Sequence, residues 1–96
     1  MAASLEQVLE RTLAVLPVTK EELIARGIAT EVTERFIGLK RVTARLKERY
    51  GSLSALEKRV KQEGVSPNDH TLYTDLLEWR AAENEIDELL TILGTM

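Results

Sequence analysis

An all-α fold is predicted by three observations on this sequence. Apolar residues recur at alternating steps of four and three over two long stretches, helix-capping signatures punctuate the chain, and nowhere do apolar and polar residues alternate across a β-branched run. Ninety-six residues, 44% apolar and 30% charged, fit one folded domain, 1–96, and are too hydrophobic for a disordered chain. The spacing predicts an antiparallel helical hairpin of two long helices with short flanking helices, dimerising into a four-helix bundle.

Each element has its own signal. Ser4 followed by Gln7 matches a capping box, and the helix it opens runs to about Leu16, where Pro17 stops it. Thr19 with Glu22 repeats the box and opens a connector helix, "TKEELIAR", closed by Gly27; residues 1–29 thus hold an N-terminal helix and a connector helix. Thr30 is expected to cap the first long helix, 30–50, which Gly51 ends. Ser54 with Glu57 marks a short helix within 52–64, ended by Gly64. Ser66, with Pro67 at the first helical position and Asp69 three residues on, opens the second long helix, 66–93, with Gly94 just past it. The stretch "DHTLYTDLLEWR", which holds the only His and the only Trp, then begins a helix. Gly38, inside the first long helix at a cost of about 1 kcal/mol relative to Ala, suggests a close helix approach.

Side-chain periodicity sets the expected packing. Val32, Phe36, Leu39, Thr43, Leu46 and Tyr50 form one seam; Leu72, Leu76, Trp79, Glu83, Ile86, Leu90 and Leu93 form the other. Folding the chain near Lys58 sets Phe36 across from Trp79 and Leu39 across from Leu76 or Leu77. Ile86 to Leu93 then project beyond the start of the first long helix and require a cover. Either the first helix, through Leu5, Leu9, Leu13 and Leu16, or a second chain provides it. Glu83 is an acid at a seam position, so it needs a partner near Arg35 or a place at an interface. Trp79 is read as core, while Tyr73 lies off the seam.

Charge is segregated along the chain. Lys and Arg against Asp and Glu number three to six in residues 1–34, nine to two in 35–61 and one to eight in 62–96, for net charges of −3, +7 and −7. A basic helix antiparallel to an acidic one receives cross-helix pairs that favour this orientation. On a helical wheel Lys40 and Lys47 flank one side of the seam and Arg35 and Arg49 the other, while Arg41 and Arg45 face away. The alternative reading is a nucleic-acid-binding protein that uses segment 35–61, with Arg41, Arg45 and Arg49 as contacts.

Catalytic and cofactor chemistry finds little support. With no Cys there is no disulfide, thiolate metal site or cysteine nucleophile. Asp69, His70, Tyr73 and Asp75 offer a metal a single His and acids spread around a helix. Acid pairs at i and i+3, Asp75 with Glu78 and Glu85 with Glu88, lack a companion base. The five Gly are isolated, which excludes a phosphate loop. A helix-turn-helix in "LSALEKRVKQEGVSPNDHTLYTDLL" would place Ala55 and Gly64 too far apart and Asp69 and Asp75 against phosphates. No enzyme, cofactor or metal is therefore expected. No apolar run of about 20 residues and no export signal is visible, so a cytoplasmic chain without a membrane span is expected.

"YGSLSALEKRV" followed by "DHTLYTDLLEWRAAENEIDEL" resembles small prokaryotic all-helical antitoxins of toxin–antitoxin loci, over roughly residues 50–90. The resemblance implies a cytoplasmic homodimer that binds and masks a toxin-like partner protein, with residues 1–30 as the extension that wraps it. A non-enzymatic protein–protein interaction module of this kind would engage its partners through Leu5, Leu9, Leu13, Tyr73, Trp79, Glu83, Ile86 and Leu90.

Overall fold

The computed structural model describes residues 4–64 and 69–96, and the chain divides into two compact units, Met1–Glu31 and Val32–Met96. Among the described residues there are four helices and no strand: α1 Leu5–Val15, α2 Lys20–Tyr50, α3 Leu53–Glu63 and α4 Thr71–Gly94. None of these helices is long and apolar enough to cross a membrane.

Local side-chain chemistry explains most helix ends. The Ser4 hydroxyl accepts from the Gln7 N–H while the Gln7 side chain accepts from the Ser4 N–H, a complete capping box. Thr19 accepts from the Glu22 N–H at 3.0 Å. Gly51 and Gly64 close α2 and α3 with φ of 89° and 69°, a region open to Gly without steric penalty. α3 begins two residues earlier than expected, because Ser52 rather than Ser54 is the cap and accepts from the Ala55 N–H at 3.0 Å.

The expected break at Gly27 is absent, and the connector and first long helix are one 31-residue helix. Thr30 does not cap; its hydroxyl donates to the Arg26 carbonyl at 2.9 Å within the helix. Without Pro, one interior Gly weakens a helix by only about 1 kcal/mol, too little to end it. α4 starts at Thr71 rather than 66, and the expected Ser66 cap and Pro67 lie outside the described residues. His70 occupies the cap position without a side-chain hydrogen bond, and Asp69 accepts from the Thr71 N–H at 2.9 Å.

In the unit Val32–Met96 the core has two parts. Leu46, Leu56, Leu76 and Trp79 bring α2, α3 and α4 together, with Tyr50, Leu53, Val60 and Leu72 around them. Farther along α4, Leu39, Ala82 and Ile86 join α2 and α4 alone, with Phe36, Val42 and Leu89 at their edges. The difference between the parts follows from the length of α3, which at 11 residues runs beside only the first half of α4.

These clusters correct the expected register. Phe36 packs with Ala82 and Ile86, not with Trp79, and Leu46 rather than Leu39 meets Leu76. The fold-back point therefore lies a few residues after Lys58, because α3 is a packed layer between the long helices and not a symmetric turn. The α4 stripe also shifts, from Leu76 and Trp79 to Ala82, Ile86 and Leu89, once α3 no longer covers its second side. Leu90, a seam position in the heptad reading, is consequently 49% exposed, while Ile86 is covered within the chain. Gly38 marks no close approach, since a Cβ there would meet nothing within 4 Å.

Two stability outcomes follow. Leu46→Ala and Leu56→Ala, at 1% and 0% exposure, are each expected to lower unfolding free energy by about 2–5 kcal/mol in urea titrations. Gly27→Ala and Gly38→Ala, in helical backbone with open space at the Cβ, are expected to raise it by up to about 1 kcal/mol. A loss at Gly27 would contradict a continuous α2.

Candidate interaction surface

The α2–α4 seam has two unlike flanks. On one, Arg35 clamps Glu85 with both Nε and Nη2, at 2.7 and 3.1 Å, Arg45 reaches Glu78 at 3.1 Å and Arg49 reaches Asp75 at 3.1 Å. The partner numbers fall as the arginine numbers rise, from Glu85 to Glu78 to Asp75. The Glu85 hydrogen bond, and then its charge, holds the Arg35 guanidinium still further above its usual value. Arg80 of α4 pairs with Glu57 of α3 at 3.3 Å. Cross-helix pairing of the basic and acidic segments is thus present, though these exposed pairs orient the helices more than they stabilise them.

This pairing changes the candidate residues. Arg45, expected to face away, and Arg49 are both engaged by α4 acids, so of the three nucleic-acid candidates only Arg41 has no ion pair to a described residue. The reach of an arginine side chain brings Arg45 back to Glu78. Glu83 does not meet Arg35; it accepts from Trp79 Nε1 at 3.4 Å, one turn away on the same helix. Trp79 and Ile86, each 4% exposed, belong to the core. Tyr73 and Leu90 are exposed, at 40% and 49%.

The opposite flank holds a shallow groove, in which Lys40, Ala44 and Lys47 of α2 face Trp79 and Glu83 of α4, floored in part by Thr43. Neither lysine has an ion pair to a described residue, and the one facing acid, Glu83, is held by the indole. Leu90 lies two turns past Glu83 on that side of α4. The positions of Lys40 and Lys47 flanking the seam were legible in the sequence, but the opening between them and α4 is a feature of the packed helices. The Trp79–Glu83 bond could have been anticipated from its i,i+4 spacing.

The unit Met1–Glu31 has an apolar surface of its own. No described residue from Ser4 to Glu31 is buried. Leu9 and Leu13 are half-buried, Leu5 is 84% exposed, and Val8, Leu16, Ile24 and Ile28 are exposed as well. Glu6 and Glu10 line one edge of the α1 stripe formed by Leu5, Leu9 and Leu13.

Polar groups elsewhere serve structure. Among the described residues no three His, Cys, Asp or Glu side chains could hold a metal ion together. Hydrogen bonding from Thr71, side chain before backbone, holds the Asp69 carboxyl below its usual range. Tyr50 donates to Asp75 where α2 ends, and its ring lies 5.8 Å from the Arg59 guanidinium. Burial, and then that hydrogen bond, pushes the Tyr50 phenol up from its ordinary value of 10.0. A phenol raised by folding contributes stability that is complete below its unfolded pKa and is lost as pH rises through the folded one. The stability difference between the wild-type chain and Tyr50→Phe is therefore expected to be constant from about pH 7 to 9 and to shift against the wild type above about pH 10. Equal alkaline losses in both, measured by urea midpoints, would remove Tyr50 from that role.

With the two surfaces described, comparison with known proteins adds no relative: no protein-family model, curated protein or solved structure matches this chain.

Proposed function

We propose that this chain is a non-enzymatic helical interaction module of the cytoplasm that associates with itself and, in the manner of the antitoxin-like proteins it resembles, binds and masks a partner protein. In this reading α2 and α4 act as an antiparallel hairpin, two copies combine into a bundle, and α1 with its neighbouring turns supplies the partner-binding extension.

One observation carries the reading. Among the described residues seven hydrophobic ones are buried, whereas twelve large ones, six of them between Leu5 and Ile28, remain 40% or more exposed. Scattered apolar side chains are ordinary on a protein surface, but a contiguous amphipathic face points to a partner. An 11-residue helix with no buried residue is also shorter than isolated helices that persist in water, so α1 gains most from a cover.

The basic segment retains Lys40, Arg41, Lys47, Lys58 and Lys61 without ion pairs to described residues, which favours nucleic acid as the second reading. The two readings part in a nuclease-treated pull-down of the tagged chain from its native host, repeated with Leu5→Asp/Leu9→Asp. Near-stoichiometric recovery of one small protein, abolished by the double substitution, is the expected result. Recovery of the chain alone, together with duplex DNA binding that weakens steeply with salt and falls in Arg41→Gln, would replace masking with nucleic-acid binding.

A further inference from the structure

We infer that two copies of this chain associate through the arginine flank of the α2–α4 seam, with α2 of each copy lying along α4 of the other. The inference rests on the self-association and the antiparallel hairpin proposed above, and it names the face.

The two sides of the seam differ. α3 covers the side of Leu76, Trp79 and Arg80, through Leu56 and Glu57. Ala81 lies five residues from Leu76, about 140° around α4. On its side Leu39 and Val42 of α2 and Ala81 and Ala82 of α4 line a shallow groove, between Arg35, Glu78 and Glu85. Gly38, three residues after Arg35 and four before Val42, shares this flank, and a Cβ there meets nothing within 4 Å. The flank is low at its centre, where small side chains let another helix approach, and is bounded by the pairs Arg35–Glu85 and Arg45–Glu78.

Charge names the occupant. Residues 35–50 hold six Lys or Arg against one acid, and residues 71–94 hold six acids against one Arg, so the face is half basic and half acidic. A partner of one sign, nucleic acid included, is attracted by one helix and repelled by the other. A second copy related by a two-fold axis along the helices meets attraction from both, because each α2 then faces α4 of the other copy. A two-fold axis across the helices sets α2 on α2 and α4 on α4, and both contacts repel.

Under the first axis residues keep their level along the seam, so Arg45 of one copy stands level with Glu78 of the other as well as with its own. The side chains of Arg35, Arg45, Glu78 and Glu85 are each 41% or more exposed, and a guanidinium has N–H donors enough for an acid in each chain. The face measures about 22 Å along α2 and about 20 Å across two helices. That is roughly 450 Å² per copy, against about 800 Å² in a standard interface, and it sets the contact among weak, reversible ones.

Substitutions at the two small central residues test this in the full-length chain. Gly38→Glu sets an acid against α4 of the other copy, and Ala81→Arg sets a cation against α2. Each alone is expected to weaken dimerisation roughly tenfold or more in sedimentation equilibrium at low salt, with no loss of helix by far-UV circular dichroism. Their equimolar mixture is expected to recover a heterodimer, since the new acid and the new cation then share one contact and the other contact is unchanged. A wild-type dimer indifferent to both substitutions would overturn the inference and leave self-association standing. A wild-type chain monomeric at millimolar concentration would overturn both. Because the sequence has no Cys, Val42→Cys in one chain and Ala81→Cys in another decide the geometry independently if a charge variant fails to fold. A disulfide that forms only in the mixture supports the arrangement. A Val42→Cys chain that cross-links to itself places α2 on α2 and overturns it, as does the absence of any cross-link.

Discussion

The unit Val32–Met96 depends on the burial of Leu56, the fully enclosed side chain at which α2, α3 and α4 meet. A two-helix contact alone offers one stripe per helix. Leu56 supplies a third wall, and where it stands Leu46, Leu76 and Trp79 are closed off from water. Burying side chains of this size yields about 1.5–3 kcal/mol each, so this junction outweighs the exposed ion pairs. Arg35–Glu85, Arg45–Glu78 and Arg49–Asp75 have a different role: they favour one register of α2 against α4 over its neighbours, which apolar contacts of similar size distinguish poorly.

The two faces of the seam follow from this division. Arginine, with a long and forked head, bridges the seam on one side. Lysine stands on the other, beside an acid already hydrogen-bonded to Trp79. The lysines leave that groove with a cationic edge over Thr43 and Trp79. In the unit Met1–Glu31, α1 carries an apolar stripe with an acidic edge.

Much of the helical architecture was legible in the sequence because capping and glycine closure are local effects. Ser4 and Gln7 need only each other, and Gly51 and Gly64 need only their own φ. What failed was what local signals leave undecided. A Thr ahead of an amphipathic stretch reads as a cap at Thr30, yet its hydroxyl can bond back to Arg26 and leave the helix intact. The register failed because symmetric folding about Lys58 treats α3 as a turn, whereas its side chains occupy a layer. The charge pattern predicted cross-helix pairs and identified Arg35 and Arg49 as flanking residues. It missed Arg45, whose stem is long enough to return from an outward wheel position. The groove was illegible because it depends on how the side chains of two helices distant in sequence pack against each other.

Trp79 gives the molecule an unequal optical record of itself. It is the only indole in the chain, and it lies at the Leu56 junction with its N–H on Glu83. Its emission therefore reports the integrity of α2, α3 and α4 at that junction and carries no direct signal from residues 4–31, which hold no aromatic residue. Helix content by circular dichroism weighs every helix by its length. When the two signals are followed through one denaturation, coincident curves mean that both units melt as one cooperative body; an earlier loss of ellipticity, with emission unchanged, isolates the melting of the aromatic-free unit.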